Sequence, residues 1–274
     1  MITSKREMIV GRIILVVVLI VTLLPLLSML SAALQPADRL PTGVAWPSEP
    51  HWENFITAFT VGHVWVLLGS SLMIVVVVVP ISLLCATLAG YALGNLRVKG
   101  GRIVLVAMVL GLTIPFEAII IPLYYQITSY GLINTQWAII LPLIGLYMPF
   151  GVFWMRAHFV GVPRELSEAA RVDGAGTLQE LRSVQLPLAR PALSALGILL
   201  FLWTWNQFLL PLVLVDDPDK RTMAGALGAF QGQYIDTLPL LFAAALIVML
   251  PTIIVYIIFQ RHFIGALLQG ALKG

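Results

Sequence analysis

From Val64 to Gly94 the chain runs 31 residues without a charged side chain. A helix needs about 20 apolar residues to cross the hydrocarbon core of a bilayer. The run is long enough to cross and to project beyond one face. It is not alone. Charge-poor apolar runs also cover Ile13–Leu34, most of the 53 residues between Arg102 and Arg156, Pro191–Val215 and Thr237–Gln260. The Arg102–Arg156 stretch contains one charge, Glu117, and is too long for a single crossing. It divides at "TSYGLINT", residues 128–135, into a hairpin of two. Only 11% of the side chains are charged, too few to cover a water-soluble surface. The expected fold is therefore an all-α polytopic membrane protein. It is read as one transmembrane domain over residues 1–274, with spans at about 13–34, 67–94, 103–127, 133–156, 191–215 and 237–260.

Six crossings put both termini on one side. With the N-terminus inside, thirteen of the sixteen Lys and Arg residues are cytoplasmic, and only Arg39, Lys220 and Arg221 are outside. That bias predicts an N-in, C-in topology. The excess of positive charge does not read as nucleic-acid binding, because the basic residues are spread thinly along the ends of apolar runs. The uncharged 13–34 run exceeds the core of a secretory signal and reads as a retained span, although the small residues of "SAALQPAD" also allow cleavage. Residues 35–63, rich in proline and turn formers, read as an external loop with one short helix from Trp52 onward. Ala86, Gly90 and Gly94 lie four apart, a ridge of small residues that lets two helix backbones approach closely. Packing within the chain and packing against another subunit are equally open.

The exception to this apolar texture is the inside loop 158–190. Within it, "PRELSEAARVDGAG" reads as a short helix. Pro163 suits its first position. Leu166, Ala169 and Ala170 share one face, and Glu165, Glu168 and Arg171 decorate the rest. Asp173 and Gly174 end it, because glycine takes the left-handed cap without strain. A second helix, Thr177–Val184, is expected to stop at Leu186-Pro187. A two-turn helix does not hold alone in water, so it must rest on the bundle, on lipid or on a partner.

The spacing Glu168-Ala169-Ala170, Gly174, Val184, Leu186-Pro187 resembles the signature of ABC-transporter permeases, with Val184 where that family has Ile. "YALGNLRVKGGR", "IPLYY", "LPLARPAL", "WTWNQFLLPLVL" and the C-terminal "FQRHFIGALLQGALKG" are similar to the carbohydrate-uptake branch, in particular the smaller permease of the maltose transporter. Asn95 stands where that branch often has arginine. The resemblance implies a subunit of a binding-protein-dependent sugar importer in a bacterial or archaeal inner membrane, working by alternating access. The 164–174 helix would be its coupling helix. ATPase-docking residues would then be Glu165, Glu168, Ala169, Ala170, Arg171, Asp173, Gly174, Leu186 and Pro187, with Gly270, Lys273 and Gly274 in the tail. Implied partners are a second, homologous permease forming a heterodimer, two cytoplasmic ATPase subunits, an external solute-binding protein, the sugar and membrane lipid. ATP and Mg would be bound by the ATPases, with no cofactor on this chain.

The chain contains no Gly-x-x-x-x-Gly-Lys-Ser/Thr loop to cradle phosphates, and Gly174-Ala175-Gly176 lacks the rest of a dinucleotide motif. Its four histidines are scattered, so neither a metal site nor a catalytic set is read, and the chain is not expected to be an enzyme. Glu117 is costly inside a span and is a candidate for the solute pathway or for a polar bond to a neighbouring helix. Trp203, Trp205, Asn206 and Gln207 can stack on and hydrogen-bond a sugar, or serve as packing with a polar interhelical bond. A permease for an amino acid, phosphate or peptide is the main alternative. An ion-coupled secondary transporter ranks below it.

Overall fold

The computed structural model describes residues 5–36, 45–96, 98–225, 227 and 238–271. Its regular elements are helical, and no strand occurs among the described residues. In chain order they are α1 (Lys5–Ala33), α2 (Glu53–Val61), α3 (Val64–Asn95), α4 (Gly101–Thr113), α5 (Phe116–Ser129), α6 (Trp137–Val160), α7 (Arg164–Val172) and α8 (Thr177–Glu180). A π-helical turn, Leu181–Gln185, leads into α9 (Leu186–Trp205), followed by α10 (Leu209–Leu214) and α11 (Leu238–Ala271). Among the described residues, five helices are long and apolar enough to cross a membrane, or six when the bent pair α4–α5 counts as one span.

Contacts divide the chain into two compact units. The first comprises residues 1–65 and 227–250. Here α1 exposes its side chains from Arg6 to Pro25, and most are apolar. That face is incompatible with water and suited to lipid. The end of α1 is held by Asn54 of α2, whose buried amide donates to the carbonyls of Ala33 at 2.9 Å and Gln35 at 2.8 Å. These carbonyls have no partner further along the helix, so the side chain supplies one. Small residues let the elements close: Ala33, Ala58, Ala243 and Ala244 form the buried cluster.

The second unit comprises residues 66–226 and 251–274, and its core is shared by α3, α6 and α9. The Ala86-Gly90-Gly94 ridge packs inside the chain, against α6. A Cβ at Gly90 would lie 2.7 Å from Met155 Cβ and 2.8 Å from the Arg156 amide nitrogen. Arg156 Nε also donates to the Leu93 carbonyl at 3.2 Å across the same seam. The ridge therefore has an occupant within this subunit.

Two spans differ from their expected form. The 103–127 run is not one straight crossing. It bends by 103° between α4 and α5. The cause is Pro115, which pushes Ile114 into an extended conformation (φ −79°, ψ 121°) and cannot continue the hydrogen-bond ladder. The run expected at 191–215 instead lies in a continuous helical stretch, 177–205, that ends at Trp205. Pro211 explains the end, because its ring would clash with the carbonyl four residues back, at Gln207. The chain breaks there and restarts with Pro211 in the first turn of α10, where no backbone donor is needed. Gln207 Oε1 accepts from the Leu209 amide at 3.1 Å and caps the new helix.

The expected stop at Leu186-Pro187 does not occur. Helix α8 passes through the π turn directly into α9. The wider turn is a known way for a helix to absorb a local misfit in its ladder. Pro187 then sits in the first turn of α9, where its missing donor costs little.

Candidate functional site

Helix α7 has Pro163 in the capping position just before it, one residue earlier than expected. Glu165 lies in its first turn and Arg171 in its last, the polarity a helix dipole favours. Its C-terminus is a Schellman motif. Gly174 is left-handed at φ +83°, its amide donates to the Arg171 carbonyl at 3.0 Å, and the Ala175 amide donates to the Ala170 carbonyl at 2.9 Å. The helix is thus terminated by its own backbone bonds.

No residue of α7 is buried. Of the Leu166, Ala169 and Ala170 face, Leu166 and Ala169 are exposed in this chain. Ala170 and Ser167 turn partly inward, whereas Glu165, Glu168, Ala169 and Val172 face outward. Val172 is 86% exposed and Leu178, just beyond the turn, is 75% exposed. These two apolar side chains were not singled out from sequence, although Val172 stands three residues after Ala169 and four after Glu168, a helical neighbour of both. Asp173 is exposed at the cap. Leu186 packs against the core cluster and Pro187 is exposed at the start of α9. A polar recess of about 350 Å³ opens beside α7, lined by Asn95, Phe159, Arg164, Ser167, Glu168 and Arg171. Gly270 falls within α11, and Lys273 and Gly274 lie outside the described residues.

A second feature is a mostly apolar cavity of about 710 Å³ in the same unit. Its wall includes Phe116, Tyr147, Pro149, Trp203, Asn206 and Gln207. Trp203 is held by aromatic neighbours: its ring centroid lies 4.9 Å from that of Phe150, edge to face, and 5.8 Å from that of Tyr147. Asn206 donates its side-chain amide back to the Leu202 carbonyl at 2.8 Å. The candidates therefore separate. Trp203, Asn206 and Gln207 reach the cavity. Trp205 is 1% exposed and stacks on Phe201, as packing requires. Glu117 is exposed in the first turn of α5 and is not part of the cavity wall. Tyr147 was missed because it lies 56 residues from Trp203 in the chain, and only the α6–α9 packing joins them.

The family profile described as "Binding-protein-dependent transport system inner membrane component" matches residues 86–267, from the small-residue ridge to the C-terminal helix. The chain belongs to this family. It is an integral, multi-pass inner-membrane permease component. It is 36% identical to the arabinooligosaccharides transport system permease protein AraQ of Halalkalibacterium halodurans over 259 residues, covering 93% of this chain and 92% of that one. It is 30% identical to the diacetylchitobiose uptake system permease protein NgcG of Streptomyces coelicolor over 274 residues, covering 99% and 91%. A chain from the crystal structure of a bacterial ABC transporter that imports the acidic polysaccharide alginate has the same fold, with a TM-score of 0.77, 22% identity and coverage of 96% and 99%.

Proposed function

We propose that this chain is half of the translocation pathway of an ATP-driven carbohydrate importer, and that α7 with its following turn is the peg that seats in a cytoplasmic ATPase. Relatives named for arabinooligosaccharide and diacetylchitobiose transport support a saccharide as the solute. The observation that carries the peg reading is the exposed Glu165, Glu168, Ala169, Val172 face, extended by Leu178. Apolar side chains this exposed on a rigidly capped helix fit the groove of a partner better than bulk water. Topology is N-in and C-in, which sets α7 on the ATPase side. A second, different permease completes the pore, a solute-binding protein delivers the sugar outside, and ATP with Mg is bound and hydrolysed by the two ATPase subunits. In the cavity, the indole face of Trp203 stacks on the sugar ring and Asn206 and Gln207 meet its hydroxyls.

The test is co-purification of the ATPase from cells expressing the whole transporter, with Ala169→Trp and Val172→Glu in α7. Both variants are expected to insert in the membrane and to lose the ATPase. Full recovery of the ATPase with both would overturn the peg reading.

A further inference from the structure

The cavity bordered by Trp203 lies where two helix breaks meet. Ile114 and Phe116 flank the bend between α4 and α5, and Asn206 and Gln207 lie in the gap between α9 and α10. Among the described residues that line it, none carries a charge. Three of its polar groups can be assigned from the partners they already have.

Asn206 Nδ2 is taken up by the Leu202 carbonyl at 2.8 Å, which fixes the amide and leaves Oδ1 as an acceptor. Gln207 is fixed the other way. Its Oε1 accepts from the Leu209 amide at 3.1 Å, which leaves Nε2 as a donor. Gly111 has no side chain, so what it presents to the cavity is backbone. Pro115, four residues on, has no N–H to give the Gly111 carbonyl, so this oxygen is a second acceptor. A hydroxyl both donates and accepts, so a sugar can use all three groups. A carboxylate or sulfonate only accepts. It would face the oxygens of Asn206 and Gly111 and find no cation in this wall. The start of α5 is a helix end that would attract an anion, but Glu117 already stands in its first turn.

We propose that this cavity selects uncharged saccharides and rejects those that bear carboxylate or sulfonate groups. An anion drawn from water into a mostly apolar cavity between spanning helices loses hydration, and this wall returns no opposite charge. Gly145 marks where the selection can be changed. It lines the cavity, and nothing lies within 4 Å of a Cβ there, so a longer side chain has room. The inference rests on the cavity being the sugar site.

The experiment uses the complete transporter in nanodiscs of zwitterionic lipid, both nucleotide-free and trapped with ATP and vanadate. Saturation-transfer NMR titrations compare neutral disaccharides (cellobiose, maltose and xylobiose) with anionic ones (cellobiuronate and digalacturonate). Only signal that Trp203→Ala removes is counted. The neutral probes are expected to bind, and the anionic probes to bind at least about tenfold more weakly. Gly145→Lys should strengthen the anionic probes by about tenfold. Equal Trp203-dependent binding of both classes overturns the selection and leaves the sugar site standing. No Trp203-dependent signal from any probe overturns both. An assembled Gly145→Lys transporter that gains no anion binding overturns the assignment of the selection to this wall. If that variant does not assemble, the comparison of probes on the unsubstituted transporter decides.

Discussion

Gly90→Ala tests the seam between α3 and α6. The new methyl would sit 2.7 Å from Met155 Cβ and 2.8 Å from the Arg156 amide nitrogen. Comfortable carbon contacts begin near 3.5–4.0 Å, so α3 and α6 must separate by about 1 Å. Neither obstacle is the far end of a flexible side chain, and one is backbone, so local repacking gives little relief. Overpacking of this kind costs about 1–3 kcal/mol. Alanine returns at most about 1 kcal/mol through helix propensity. The net expectation is a loss of about 1–2 kcal/mol, or a five- to thirtyfold fall in the folded-to-unfolded ratio. Separation would also stretch the Arg156–Leu93 hydrogen bond and the edge-to-face contact of Tyr91 with Phe159. The assay is unfolding in mixed micelles titrated with a denaturing detergent and followed by tryptophan fluorescence. Gly145→Ala is the control, because nothing lies within 4 Å of a Cβ there. Equal stability of the two variants would refute the close approach of α3 and α6.

Gly174→Val should strain the left-handed cap by about 1–2 kcal/mol. No neighbour lies within 4 Å, so the loss is backbone strain alone, and the expected phenotype is normal membrane insertion with impaired ATPase retention by pull-down. Trp203→Ala should lower carbohydrate uptake without reducing the amount of assembled transporter, whereas Trp205→Ala should reduce assembly, because Trp205 is a packed core side chain. Glu117→Gln should preserve uptake, because the carboxylate lies outside the cavity wall; a strong transport defect in a fully assembled variant would return Glu117 to the pathway.

Most of the architecture is written locally. Uncharged runs longer than a bilayer is thick can only be helices in lipid, because each backbone donor must be satisfied within its own segment. The capped helix α7 is equally local: Pro163, the Glu165–Arg171 polarity and Gly174 lie within twelve residues and need no distant partner. Tertiary structure decided what pairs with what. It assigned the Ala86-Gly90-Gly94 ridge to α6, brought Tyr147 to Trp203, and separated Trp203 from Trp205, although they stand two apart in the chain. It also set Val172 outward and buried Glu180 against Arg171. None of these could be read from periodicity, because a helix in an apolar solvent is apolar on every side and its sequence does not mark which side meets protein.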